Sequence, residues 1–165
     1  MMFRVTKVSL VFGVALFYAF VVFGNLTDYD SNYQLVRHVL MMDSTLPGNY
    51  GMWRAINSPA VHTVFYWTII AWEIATMVLC WWGGWRLVRS LKSDAKMFRK
   101  ASTLAVAGLT LGMMMWLVAF LVVGGEWFLM WQSKTWNGQE AAFRMFAVVG
   151  IALLVLVQPE IEEQS

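Results

Sequence analysis

The chain has 165 residues, of which 59% are hydrophobic, 16% aromatic and only 13% charged, with a formal net charge of +2. A soluble domain carries about 25% charged residues, so this composition excludes an ordinary soluble enzyme and points to the membrane. The length favours one integral membrane domain over residues 1–165, with no room for a bundle of spans plus a separate soluble catalytic unit.

Motifs narrow the classes further. The single cysteine, Cys80, falls in an apolar run, so no intrachain disulfide forms. There is no P-loop, no dinucleotide-binding glycine motif and no Cys/His cluster with zinc spacing. No basic patch interleaved with aromatics lies outside the apolar runs, which argues against a nucleic-acid partner.

Four apolar runs, residues 8–26, 61–82, 101–123 and 141–157, approach or reach the roughly 20 helical residues that cross about 30 Å of hydrocarbon. The fold class they predict is all-α, a four-transmembrane-helix bundle. Arg4 and Lys7 precede the first run as they would a signal peptide, but Phe20 to Gly24 lacks a small-x-small cleavage pattern, so the run reads as an uncleaved span.

The first loop, about residues 27–58, is too long for a plain turn. Ser31 to Gln34 reads as a capping box, followed by Leu35, Val36, Val39, Leu40 and Met42 at helical spacing. The pattern predicts a short outer amphipathic helix over residues 32–42, lying on the bilayer surface or on the bundle, with Pro47-Gly48 as its stop signal. Ser58-Pro59 supplies a cap residue and a first-turn proline for the second span.

Within that span lies Glu73, the one ionisable residue near the middle of an apolar run. A charge at bilayer depth costs about 3 kcal/mol on insertion scales, so Glu73 must face a bundle interior, a wet cavity or a partner. His62, Tyr66, Glu73 and Met77 fall on one helix face, with His62 about three turns above Glu73. One reading is a proton or cation path; the other is a hydrogen-bonded Glu73 that locks the bundle.

Arg86, Arg89, Lys92, Lys96, Arg99 and Lys100 fill the link between the second and third spans. The opposite loops hold only Arg37, Arg54 and Lys134, with Arg144 at the start of the fourth span. The positive-inside rule then places both termini in the cytoplasm of a multi-pass protein. Trp81, Trp82 and Trp85 form an inner aromatic belt, and Trp127, Trp131 and Trp136 an outer one. Gly108 and Gly112 make a GxxxG step that marks the inward face of the third span.

The second outer loop, residues 124–138, is aromatic-rich and nearly uncharged. A disordered segment would be polar and aromatic-poor, so this loop is expected to pack on the first as an ordered cap. Asn137 and Glu140 read as a capping box for the fourth span. Arg54 or Arg144 paired with Glu126 would tie the two loops together; a substrate or lipid-headgroup site is the other reading.

His38 and His62 are the only histidines, and both lie on the outer side. With Met41, Met42 and Asp43 they are candidates for a soft metal or haem site, although the spacing matches no local motif. No motif names a cofactor, and none is expected.

The segments His38-Val39-Leu40-Met41-Met42-Asp43, Trp53-Arg54-Ala55-Ile56 and Ile70-Ala71-Trp72-Glu73 carry a resemblance, as do residues 124–138 with Gln139 and Phe143-Arg144. Over nearly its whole length the chain resembles a bacterial family of predicted small integral membrane proteins (domain of unknown function 2165). The resemblance implies a four-span inner-membrane protein and supplies no activity. The functional expectation is an accessory or interaction protein that packs against a larger membrane complex or another copy of itself in the bilayer, with no catalysis of its own. The rival is proton or metal handling through Glu73, His62 and His38. A third possibility is a quinone or lipid module in the aromatic loops.

Overall fold

Buried in hydrocarbon, a backbone has no water to bond, so an apolar run satisfies its own amides by coiling. The computed structural model describes residues 1–160. Among these, four helices are long and apolar enough to cross a membrane. They are α1 (Met2–Thr27), α3 (Pro59–Arg89), α4 (Ala95–Met114) with its unbroken continuation Met115–Trp127, and α5 (Gln139–Val157). A further helix, α2 (Tyr29–Met41), follows α1 directly. The fold is all-α, and each expected span lies within one of the four long helices.

The ends differ from expectation. α3 begins at Pro59, with Ser58 before it, as the sequence indicates. It then runs 31 residues, about 46 Å at 1.5 Å per residue, through the tryptophans and on to Arg89. α4 starts at Ala95, six residues before the apolar run, because the Asp94 carboxylate accepts a 2.7 Å hydrogen bond from Met97 N. From Met115 to Trp127 the helix adopts π geometry, which no proline in the segment forces. α5 opens from Gly138, and Asn137 Oδ1 accepts from Gln139 N at 3.1 Å. The expected capping box with Glu140 is therefore replaced by a shorter Asn turn.

α2 begins at Tyr29, three residues before the expected start, and Ser31 lies inside it. Met42, in the left-handed region at φ 52°, ends it well before Pro47. The chain then returns through a 3-10 turn, Tyr50–Arg54, and Ile56 N donates to Leu40 O at 2.8 Å.

α3 packs against both α1 and α4, and α5 lies against α4 and α1. Small residues set the approach. A Cβ on Gly83 would lie 2.6 Å from Ala105 Cα, and one on Gly112 would lie 2.7 Å from the Tyr18 hydroxyl. The GxxxG step does mark an inward face: Gly108 meets Leu79 and Cys80 of α3. Tyr18 is fully buried, and its hydroxyl donates to Gly112 O at 3.0 Å.

At the basic end of the bundle, Arg4 and Lys7 make specific contacts. Lys7 is buried, and its ammonium donates to Gln158 O at 2.6 Å and to Glu160 at 2.8 Å. Arg4 pairs with the other Glu160 oxygen at 2.8 Å and donates to Leu91 O and Ser93 O. The start of α1 is thus tied to the α3–α4 link and to the chain just after α5.

Candidate functional site

Glu73 is 2% exposed, and on α3 it shares a buried line with His62, Tyr66 and Ile70. The line continues through Thr76 and Cys80; Met77 is only partly buried. Helical spacing of four, four and three residues puts these side chains on one face. The Asn25 amide nitrogen donates to Glu73 Oε2 at 2.7 Å, and Tyr66 OH donates to Asn25 O at 3.0 Å. Asn25 belongs to the last turn of α1. Glu73 is central in α3, but its partner sits at the capped end of the bundle, so the network lies toward that end. Asn25 was legible as the one amide side chain in the first apolar run, yet nothing local marked it as the partner of Glu73.

His62 stays outside this network. Its Nε2 lies 2.7 Å from Ile56 O. A carbonyl only accepts, so Nε2 carries the proton, and Nδ1 is left buried without a protein partner. The His62–Tyr66–Glu73 row is therefore not one hydrogen-bonded chain. Asn25, the link between Tyr66 and Glu73, is an amide that donates and accepts but carries no exchangeable charge. The bonds join the last turn of α1 to α3 through Asn25, and among the described residues His62 bonds to Ile56 O and to neither Tyr66 nor Glu73.

Two loops form the cap. Phe128 is buried with Leu40 and Met42 in a small apolar cluster of their own. The Trp136 ring stacks on His38 with centroids 4.5 Å apart and planes 7° off parallel, and His38 Nδ1 lies 2.6 Å from Asp43 Oδ2. Ser44 donates to Ser133, and Gln132 Oε1 accepts from Leu46 N at 3.1 Å. Phe128, Gln132, Ser133 and Trp136 of the second loop thus each contact the first loop or the end of α2.

The expected ion pair in the cap does not form. Among the described residues neither Arg54 nor Arg144 pairs with Glu126, and Glu126 and Arg144 are both exposed. The Arg54 guanidinium lies instead over the Trp127 and Trp53 rings, 5.4 and 5.7 Å from their centroids, and Trp53 meets Trp127 edge-on at 5.8 Å. Aromatic faces attract a guanidinium through the ring quadrupole. Trp131 is half exposed. Among the described residues no three His, Cys, Asp or Glu side chains converge as a metal site requires.

Over residues 3–159 the chain matches the family described as predicted small integral membrane protein (DUF2165). The chain belongs to that family. No curated protein matches it, and no solved structure does.

As a DUF2165 protein it is membrane-embedded, and its polar chemistry is concentrated at the two ends of the bundle. At the capped end lie the Glu73–Asn25–Tyr66 bonds and the Arg54 stack. At the basic end, burial disfavours the Glu160 carboxylate, but hydrogen bonds and charge from Lys7 and Arg4 outweigh it and hold that carboxyl below the usual range.

Proposed function

We propose that this protein is a small accessory protein of the bacterial inner membrane that docks on a larger membrane complex, or on a second copy of itself, through its aromatic cap. The observation that carries the reading is the contrast within the cap. Its inner side is tightly ordered by Phe128, Leu40, Met42 and the Trp136–His38 stack. Its other side leaves Tyr50, Trp53, Trp127 and Trp131 exposed. Rigid aromatic anchors beside an arginine are what binding surfaces use. The cap lies on the outer face if the basic residues Arg4, Lys7 and 86–100 mark the cytoplasmic side.

The rival, proton or metal handling by Glu73, His62 and His38, draws less support. Glu73 is bonded to an amide, His62 to a carbonyl and His38 to Asp43.

The test is purification of the tagged full chain in mild detergent, with mass spectrometry of stoichiometric companions. The accessory reading expects a companion that is lost in the Trp53→Ala/Trp131→Ala double variant and kept in Glu73→Gln. A chain that runs as a lone monomer, or a companion indifferent to the cap tryptophans, overturns it.

A further inference from the structure

α2 spans two different environments. Its first half covers the polar network: Tyr29 and Tyr33 meet the Tyr66 ring at 4.8 and 5.9 Å. Its second half roofs a cavity of about 280 Å³ between α2, α3 and the π-helical segment. Leu40 forms part of the roof, Ile69 and Val118 part of the walls, and Phe128 and Met130 close one end.

The lining is apolar throughout and carries no charge. Only Thr68 and Trp72 bring hydrogen-bonding side chains, and both are already spent. The Thr68 hydroxyl donates to Val64 O at 2.8 Å, and Trp72 Nε1 donates to Leu111 O at 2.9 Å. Ordered water needs two to four polar partners, which this space does not offer. A polar head group would find nothing to bond.

The mouth opens sideways. Val64, Phe65 and Thr68, on the capped half of α3, line the cavity and are exposed on the outside of the bundle. Around a membrane-embedded chain, the medium facing that side is acyl chain. At about 280 Å³ the volume lies just below the range of ligand pockets, which run from roughly 300 to 1,000 Å³. It suits one hydrocarbon chain and not a bulky ring system. One wall is the Met115–Trp127 π segment, and such irregularities inside long helices gather at functional sites.

We infer that the space between α2, α3 and the π segment is a binding site for one acyl chain of a membrane phospholipid, taken from the leaflet at the capped end, with the head group left outside. The site requires only that the protein is in a bilayer, so it stands or falls separately from the accessory role. A bound chain would fill the gap under α2 and hold that helix against the bundle.

The experiment uses the full chain in vesicles of phosphatidylethanolamine and phosphatidylglycerol, with a small fraction of phosphatidylcholine that carries a diazirine at the end of one acyl chain. After irradiation, adducts are mapped by mass spectrometry. Leu40, Phe128 and Met130 are each 3% exposed and line the cavity, whereas Phe20 and Ile151 face outward. Adducts are expected in both sets. Ala119→Phe, which fills the space, and Val64→Trp, which narrows the mouth, should each cut the Leu40 and Phe128 adducts about tenfold. Labelling of Phe20 and Ile151 should hold steady and report that the variant is folded. Three results overturn the inference: adducts confined to the outward residues, Leu40 and Phe128 labelling that both folded variants leave unchanged, or labelling of those two residues by a diazirine fatty acid and not by the phospholipid.

Discussion

The Asn25 amide donates a 2.7 Å hydrogen bond to Glu73, across 48 residues of sequence, and so joins the last turn of α1 to the middle of α3. Each residue alone would be a liability in an apolar helix. Together they satisfy one another, and Tyr66 holds the same turn of α1 through its bond to Asn25 O.

The pair predicts an ordered series. Glu73→Gln keeps an acceptor for Asn25 and should leave the protein folded. Glu73→Lys faces a donor with a buried cation and should abolish accumulation in the membrane. Asn25→Leu strips the donor and should cost about 1–3 kcal/mol, read as a lower unfolding temperature in detergent. Failure of Glu73→Gln to accumulate would mean that the carboxylate itself is required.

Gly83 should tolerate nothing larger. Its missing Cβ is where the Ala105 backbone sits, so Gly83→Ala forces α3 and α4 apart at about 1–3 kcal/mol, the usual cost of overpacking. Gly13, with nothing within 4 Å of its notional Cβ, is the control. Equal melting temperatures for Gly83→Ala and Gly13→Ala would contradict the packing described.

Trp136→Ala should loosen the cap. It removes the stack on His38, and such a pair contributes about 0.5–1.5 kcal/mol beyond its area. Amides in residues 127–138 should then exchange about threefold to tenfold faster. Trp131→Ala, which truncates a half-exposed ring, should leave exchange in the same amides unchanged.

The Glu160 tether should respond to acid. Its carboxyl is held below the ordinary range by Lys7 and Arg4 against the opposing effect of burial. A lowered folded pKa means that the stabilisation is complete above the unfolded carboxylate value, about 4.3, and is lost as pH falls through the lower folded value. Comparing wild type with Glu160→Gln at pH 7 and pH 3 checks this. The gap in unfolding temperature should be present at pH 7 and shrink at pH 3.

Reporter fusions at Ser165 and within residues 94–96 should both read as cytoplasmic, because eight lysines and arginines flank that side of the spans. One fusion reporting the opposite side would invert or break the proposed topology.

The apolar runs alone determined four helices long and apolar enough to cross a membrane, since a backbone in hydrocarbon has no alternative to bonding within itself. Pro59 marked the start of α3, although Ser58 makes no side-chain capping bond, and Gly108 and Gly112 marked an inward face, because a first-turn proline and small residues act locally. Helix ends beyond the apolar runs escaped. Hydropathy measures hydrocarbon contact, while α3 continues through Arg86 and α4 begins at a capping Asp94 in polar sequence. The partners were decided only by tertiary structure: Asn25 for Glu73, Trp136 for His38, Trp127 for Arg54, and Glu160 for Lys7. Periodicity tells which face of a helix turns inward, but not how high a neighbouring helix stands beside it. Glycines such as Gly83 and Gly112 let whole helices come into close contact, and the face and the height together determine which polar side chains meet.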